Sequence, residues 1–104
     1  MRLIRELASH AKGLASLDWL RSLRVEPMND SGMGSLQLVH EQLGSESSEF
    51  GSVLSAAQFL DADGVPVVAS LYANKNGVPF ELDLWKTNYS ALIRIPETFQ
   101  LLDE

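Results

Sequence analysis

The sequence predicts an α+β domain in which an N-terminal helix packs on one face of an antiparallel β-meander. Three observations carry that reading. Apolar residues recur at threes and fours between Ser9 and Leu23, the apolar period shortens to two beyond Val25, and the later segments are separated by DADG at 61–64 and NKNG at 74–77. A stripe repeating every 3.6 residues is a helix face and one repeating every two is a strand face. Asp-Gly and Asn-Gly join antiparallel strands because glycine accepts the positive φ of tight hairpin turns. With 104 residues and 45% hydrophobic content, the chain suits one compact domain spanning residues 1–104.

The elements follow in order. Ala11, Leu14, Leu17, Trp19, Leu20 and Leu23 form the helical stripe, with Ser9 as its N-terminal cap and no proline before Pro27. Leu3, Ile4 and Leu7 ahead of it read either as a helical turn or as an irregular lead-in. Val25 to Met28 is a short extended piece bounded by Pro27, and NDSGMGS supplies turn residues before a strand from Leu36 to His40. After the polar connection EQLGSESSEFGS come strands from Gly51 to Leu60, Val65 to Ala73 and Val78 to Thr87, joined by the two Gly-ended turns. Leu92, Ile93, Ile95, Phe99 and Leu102 of the tail close one side of the core as a short strand or a helical turn.

Charge is distributed unevenly. Fourteen acids against eight bases give a net charge of −6, and residues 25–74 hold seven of those acids with no Lys or Arg. An acidic surface repels phosphates and anionic lipid and favours basic proteins, so neither nucleic acid nor membrane is expected as a partner. No apolar run approaches the roughly 20 residues of a membrane span, the N-terminus lacks the features of a secretory signal, and the expected location is cytoplasmic. The absence of cysteine removes disulfides, thiol nucleophiles and thiolate metal sites together.

Several stretches invite a chemical reading. In FELDLWK, residues 80–86, Phe80, Leu82 and Leu84 share one strand face while Glu81, Asp83 and Trp85 share the other. Glu81 and Asp83 lie about 7 Å apart at their Cα atoms, a separation that carboxylate pairs of glycosidases also use. Nothing in the sequence indicates the burial that would raise one pKa, and alternating acids on a strand are ordinarily solvated. DADG resembles the start of a calcium loop, but the ligand positions that should follow are Val65, Pro66, Val67 and Val68, so no metal is expected. SGMGS at 31–35 lacks the residues that complete a phosphate-binding loop, so no cofactor is expected. The histidines, His10 and His40, have no thiol to activate.

NDSGMGSL at 29–36, FLDADGVPVVASL at 59–71 and FELDLWKTN at 80–88 together resemble a family of short uncharacterised bacterial proteins. The pattern of that family is roughly DGGMGSL, then DxDGxxV, then FELDxWKxD. The likeness spans about residues 20–92 and falls on Asp30, Gly32, Met33, Gly34, Ser35, Asp61, Asp63, Gly64, Glu81, Asp83, Trp85 and Lys86; Ser31 and Asn88 depart from it. Size, acidity and lack of cysteine are also similar to those of immunity proteins from contact-dependent inhibition and polymorphic toxin systems. That likeness implies a non-enzymatic inhibitor covering the active site of a cognate basic toxin, a ribonuclease above all, in a one-to-one complex. Asp30, Met33, Glu46, Glu49, Asp61, Asp63, Glu81, Asp83 and Trp85 are the expected partner-binding residues, the carboxylates pairing with Lys and Arg while Trp85 and Met33 anchor. Two readings stand beside it: a small enzyme or ligand-binding domain using the Glu81/Asp83 face, and an oligomerising adaptor.

Overall fold

A computed structural model of the chain describes residues 2–11, 23–28, 32, 34–40, 50–96 and 98–102. It confirms the α+β class: one N-terminal helix lies against a six-stranded, wholly antiparallel sheet.

Helix α1 runs from Arg2 to His10. Leu3, Ile4, Leu7 and Ala8 form its buried stripe and Arg5, Ser9 and His10 face outward. Of the two readings of the segment ahead of Ser9, the helical one holds, and Ser9 sits in the last turn of α1. The compact Leu3/Ile4/Leu7/Ala8 stripe buries fully against the sheet. Of the expected helix, residues 12–22 lie outside the described residues, and Leu23 belongs to the first strand. The end of α1 is closed by the Ala11 N–H, which donates to the carbonyls of Leu7 and Ala8 at 3.1 and 3.3 Å. The buried Ser55 hydroxyl donates to the Leu7 carbonyl at 2.6 Å and ties that end to the sheet.

The strands are β1 Leu23–Pro27, β2 Leu36–His40, β3 Phe50–Leu60, β4 Pro66–Asn74, β5 Pro79–Lys86 and β6 Gln100–Leu102. Their order across the sheet is β1-β2-β5-β4-β3-β6. The meander therefore covers β3 to β5 only, while β2, next before β3 in sequence, pairs with β5 on the far side. The β3–β4 turn closes with Asp61 N–H to Val65 O and Gly64 N–H to Asp61 O, the β4–β5 turn with Asn74 N–H to Val78 O and Gly77 N–H to Asn74 O. Gly64 and Gly77 have φ of 79° and 81°, the left-handed values for which glycine is suited. The tail ends as a strand: β6 pairs with β3 at Ala56, Ala57 and Gln58.

Helix α1 covers β3 and β4. Beneath it, register stacks Ala57, Ala69 and Leu84 in one row and Phe59, Val67 and Lys86 in the next, all buried. Leu82 and Leu84 are core, as expected, but Phe80 is only half-buried. A register shift between Tyr72 and Ala73 pairs Ala73 with Pro79 and leaves Phe80 without a cross-strand partner, so Pro79 takes the inward position. The opposite face carries Ser70, Tyr72, Glu81, Asp83 and Trp85, and no described element packs on it. No helix among the described residues is long and apolar enough to cross a membrane.

Candidate functional site

The largest fully buried side chain among the described residues is that of Lys86. It follows Leu82 and Leu84 on the inward face of β5, so its ammonium is carried to the end of the core, beside the β3–β4 turn. There all three of its protons are used: Nζ donates to Asp61 Oδ2 and Asp63 Oδ2 at 2.8 Å each and to the Ala91 carbonyl at 3.0 Å. Asp61 is equally saturated. Its Oδ1 accepts from the Ala62 and Arg94 amides at 2.7 and 3.0 Å, and its Oδ2 from Lys86 and the Ile93 amide at 2.8 Å each.

A buried charge is tolerated when it is paired and its remaining hydrogen-bonding capacity is filled. Burial alone would push the Asp61 carboxyl up, but Lys86 and the amides of Ile93, Ala62 and Arg94 outweigh it and hold the group well below the usual carboxylate range. Asp63, with 37% of its side chain exposed, is lowered chiefly by its bond from Lys86. Burial works against the Lys86 charge, and the two aspartates reverse it, leaving the ammonium raised above its ordinary value.

The glycine-rich loop reaches the same end of the molecule. Buried Ser35 exchanges hydrogen bonds with β5, its hydroxyl accepting from the Leu84 N–H at 2.8 Å and donating to the Leu84 carbonyl at 3.3 Å. Gly34, at φ 93°, lies where a Cβ would come within 2.7 Å of Leu92, and the Leu92 N–H donates to the Gly32 carbonyl. Segments from all three sequence stretches therefore converge on residues 91–94. That length has no regular secondary structure, and side-chain and loop acceptors take up its amides.

The second acidic pair is arranged differently. Glu81 and Asp83 are half-buried on the outer face, opposite α1, with the Tyr72 hydroxyl donating to Asp83 Oδ2 at 3.4 Å. Burial, reinforced by the charges of Asp83 and Glu81, raises the Tyr72 phenol, so it remains a neutral donor. Trp85 is 41% exposed and meets Tyr89 of the tail edge-on, ring centroids 6.2 Å apart. On β3, Phe50 meets Tyr72 edge-on at 5.1 Å.

Of the expected partner-binding residues, Asp30, Met33, Glu46 and Glu49 lie outside the described residues. Asp61 is not a surface acid: it is 3% exposed and its acceptor positions are filled internally. Asp63 is shared between the ion pair and solvent, and Glu81, Asp83 and Trp85 share the outer face. Where a calcium loop would hold its ion, the DADG turn holds an ammonium. The residue missed as a member of the site is Lys86, and its signal was parity, since a lysine two places after Leu84 points into the core and requires a counter-charge. A cleft of about 620 Å³ lies at the β3–β6 edge, lined by residues including Leu60, Pro66, Pro96 and Phe99, and includes neither Glu81 nor Asp83.

A family model described as a domain of unknown function, DUF6984, matches residues 1–96. The chain belongs to this family. The match takes in α1, β1 to β5 and the pinned segment 91–94, and ends before β6. Searches of curated proteins and of solved structures find no match.

Proposed function

We propose that this DUF6984 domain is a non-enzymatic binding protein that docks a basic partner on the outer sheet face around Glu81, Asp83 and Trp85. The partner class that fits best is a cationic toxin domain of the ribonuclease type, which makes the protein an immunity-type inhibitor. The observation that supports the reading is Trp85, a large aromatic 41% exposed on the outer sheet face in the same row as Glu81 and Asp83. Desolvated aromatics commonly dominate binding energy, and surrounding carboxylates give orientation and fast encounter with a basic surface. The net charge of −6 supports the same direction of attraction. Inhibition would be steric and electrostatic, with carboxylates occupying the Lys and Arg side chains that hold RNA phosphates.

The test is co-expression with a basic toxin domain encoded in the adjacent reading frame. Growth protection is expected from the native chain and loss of protection from Glu81→Gln combined with Asp83→Asn. The purified pair should associate one-to-one, at a rate that falls with added salt. Protection unchanged by the double substitution would overturn this use of the outer face.

A further inference from the structure

We propose that β6 is an exchangeable arm, which leaves the β3 edge of its own chain and seats on the β3 edge of a second copy to make a two-fold symmetric dimer. The proposal is independent of the binding role given above, since the exchange uses neither Glu81, Asp83 nor Trp85.

Three observations meet at this edge. The chain is anchored as far as Arg94, whose amide donates to the buried Asp61 carboxylate at 3.0 Å beside that of Ile93 at 2.8 Å. Beyond the anchor, the described residues Ile95, Pro96, Thr98 and Phe99 belong to no helix or strand. β6 then returns for three residue pairs, Gln100 with Gln58, Leu101 with Ala57 and Leu102 with Ala56. It is a short element on a fixed root, and its detachment leaves the Asp61–Lys86 network and the β3–β4–β5 meander intact.

The root of the arm is loosely packed. The cleft of about 620 Å³ lies where the arm approaches the sheet, between Phe59, Leu60 and Pro66 on one side and Pro96 and Thr98 on the other. Protein interiors are close-packed, so a segment bordering such a space forgoes contacts that would hold it in place. Leu60 remains 64% exposed there, and Pro96 has no N–H to give to the β3 edge.

The occupant of a vacated edge follows from what sits on it in this chain. Ala56, Ala57 and Gln58 then present unpaired backbone groups, a template for another strand. The seat packs Leu101 against the core and pairs the amides of Gln58 and Gln100, Nε2 of the first donating to Oε1 of the second at 3.1 Å. β6 of a second copy reproduces both contacts, which is why exchange of an identical element is a low-cost route to dimers. From Ile95 to Gln100 the arm spans about 17 Å when extended, enough to cross to a neighbouring edge. Each copy gives one arm and receives one, so the assembly closes at two.

The experiment uses the full chain, which has no cysteine of its own. Gln58→Cys and Gln100→Cys are made as separate single variants, one of them ¹⁵N-labelled, and each is checked for retained fold by its spectrum. They are mixed at high concentration and oxidised, and the covalent dimers are sorted by intact mass. Exchange sets the β6 thiol of one chain opposite the β3 thiol of the other, across a strand pair close enough for a disulfide. Mixed dimers are expected about tenfold or more above like pairs, because registered pairing raises the effective thiol concentration. Mixed and like pairs in the proportions of random collision overturn the exchange, as does a predominance of β6–β6 pairs or the absence of covalent dimer. A second measurement locks the arm: Gln58→Cys combined with Gln100→Cys, oxidised at low concentration, closes an internal disulfide. The locked chain should stay monomeric by light scattering at concentrations where the native chain is dimeric, and a dimer that survives the lock overturns the proposal.

Discussion

Two acidic pairs of identical spacing, Asp61/Asp63 and Glu81/Asp83, are put to opposite uses by one fold. The first pair closes on a lysine that is buried with it, and four donors saturate Asp61. The second stands on a sheet face next to a tryptophan and a tyrosine. Spacing does not separate them. What does is the parity of β5, whose inward row Leu82, Leu84, Lys86 delivers a cation to the turn while its outward row Glu81, Asp83, Trp85 delivers carboxylates to the outer face. The lesson is that a carboxylate pair is drawn into the core when the register brings it a desolvated counter-charge, and stays half-buried on the outer face when it does not.

The sharpest way to break that contrast is to remove Asp61 from the first pair and both charges from the second. Asp61→Ala takes from Lys86 its buried counter-charge and leaves three amides without their acceptor, and is expected to cost about 3–5 kcal/mol in urea unfolding. Glu81→Gln with Asp83→Asn, which keeps the shape of two half-buried side chains, should cost less, about 1 kcal/mol. Equal losses at both pairs would show the distinction to be false.

Next in size is the glycine loop that braces the same end. Gly34→Ala combines a left-handed φ with a contact of 2.7 Å to Leu92 and is expected to destabilise by about 2 kcal/mol or more. Gly64→Ala has the same sign of φ but open space around it, so the cost should fall to about 1 kcal/mol. Thermal melts of the two variants separate packing at the pinned end from turn geometry alone.

Acid should expose the buried pair next. Asp61 has a folded pKa below its unfolded value, so its contribution is fully present above about pH 4 and is lost as pH falls toward the folded value. Stability should therefore decline below about pH 4 with a slope of at most about 1.4 kcal/mol per pH unit from this group. Asp61→Asn, though weaker at neutral pH, should show a flatter acid limb. A matching limb in both proteins would assign acid sensitivity elsewhere.

Much of this architecture was legible before any coordinates. The strand Leu36–His40 appears with its expected bounds, β3 to β5 fall within a residue or so of theirs, and both Gly-ended turns close as hairpins, because short-range turn chemistry and period-two patterning are local properties. The strand order was not legible: placing β2 beside β5 depends on pairings far apart in sequence. The helical character of Leu3, Ile4 and Leu7 was only half legible, because a stripe this short reads equally as an irregular lead-in until burial against the sheet selects the helix. At the site, the Glu81/Asp83/Trp85 face was readable from alternation, whereas the Asp61–Lys86 pair was missed because the DADG turn was considered alone. The β4–β5 register pairs Val67 with Lys86 and so places the ammonium beside the β3–β4 turn, but that pairing includes the shift between Tyr72 and Ala73, which counting from the turns does not reveal.

The smallest expected effect tests why Tyr89 is retained. A left-handed backbone costs a non-glycine residue about 1–2 kcal/mol, and asparagine adopts it more readily than tyrosine. Against that relief, Tyr89→Asn forfeits an edge-on contact with Trp85 worth about 0.5–1 kcal/mol at a partly exposed position. The two terms nearly cancel, so Tyr89→Asn should change stability by no more than about 0.5 kcal/mol while removing a ring that is 69% exposed. A loss above 1 kcal/mol would make Tyr89 a packing residue and draw it to the structural side of the contrast with Lys86. An unchanged melting curve together with weakened association with a basic partner would mean that the fold holds a strained tyrosine at its surface for recognition, as it holds a charged lysine in its interior for shape.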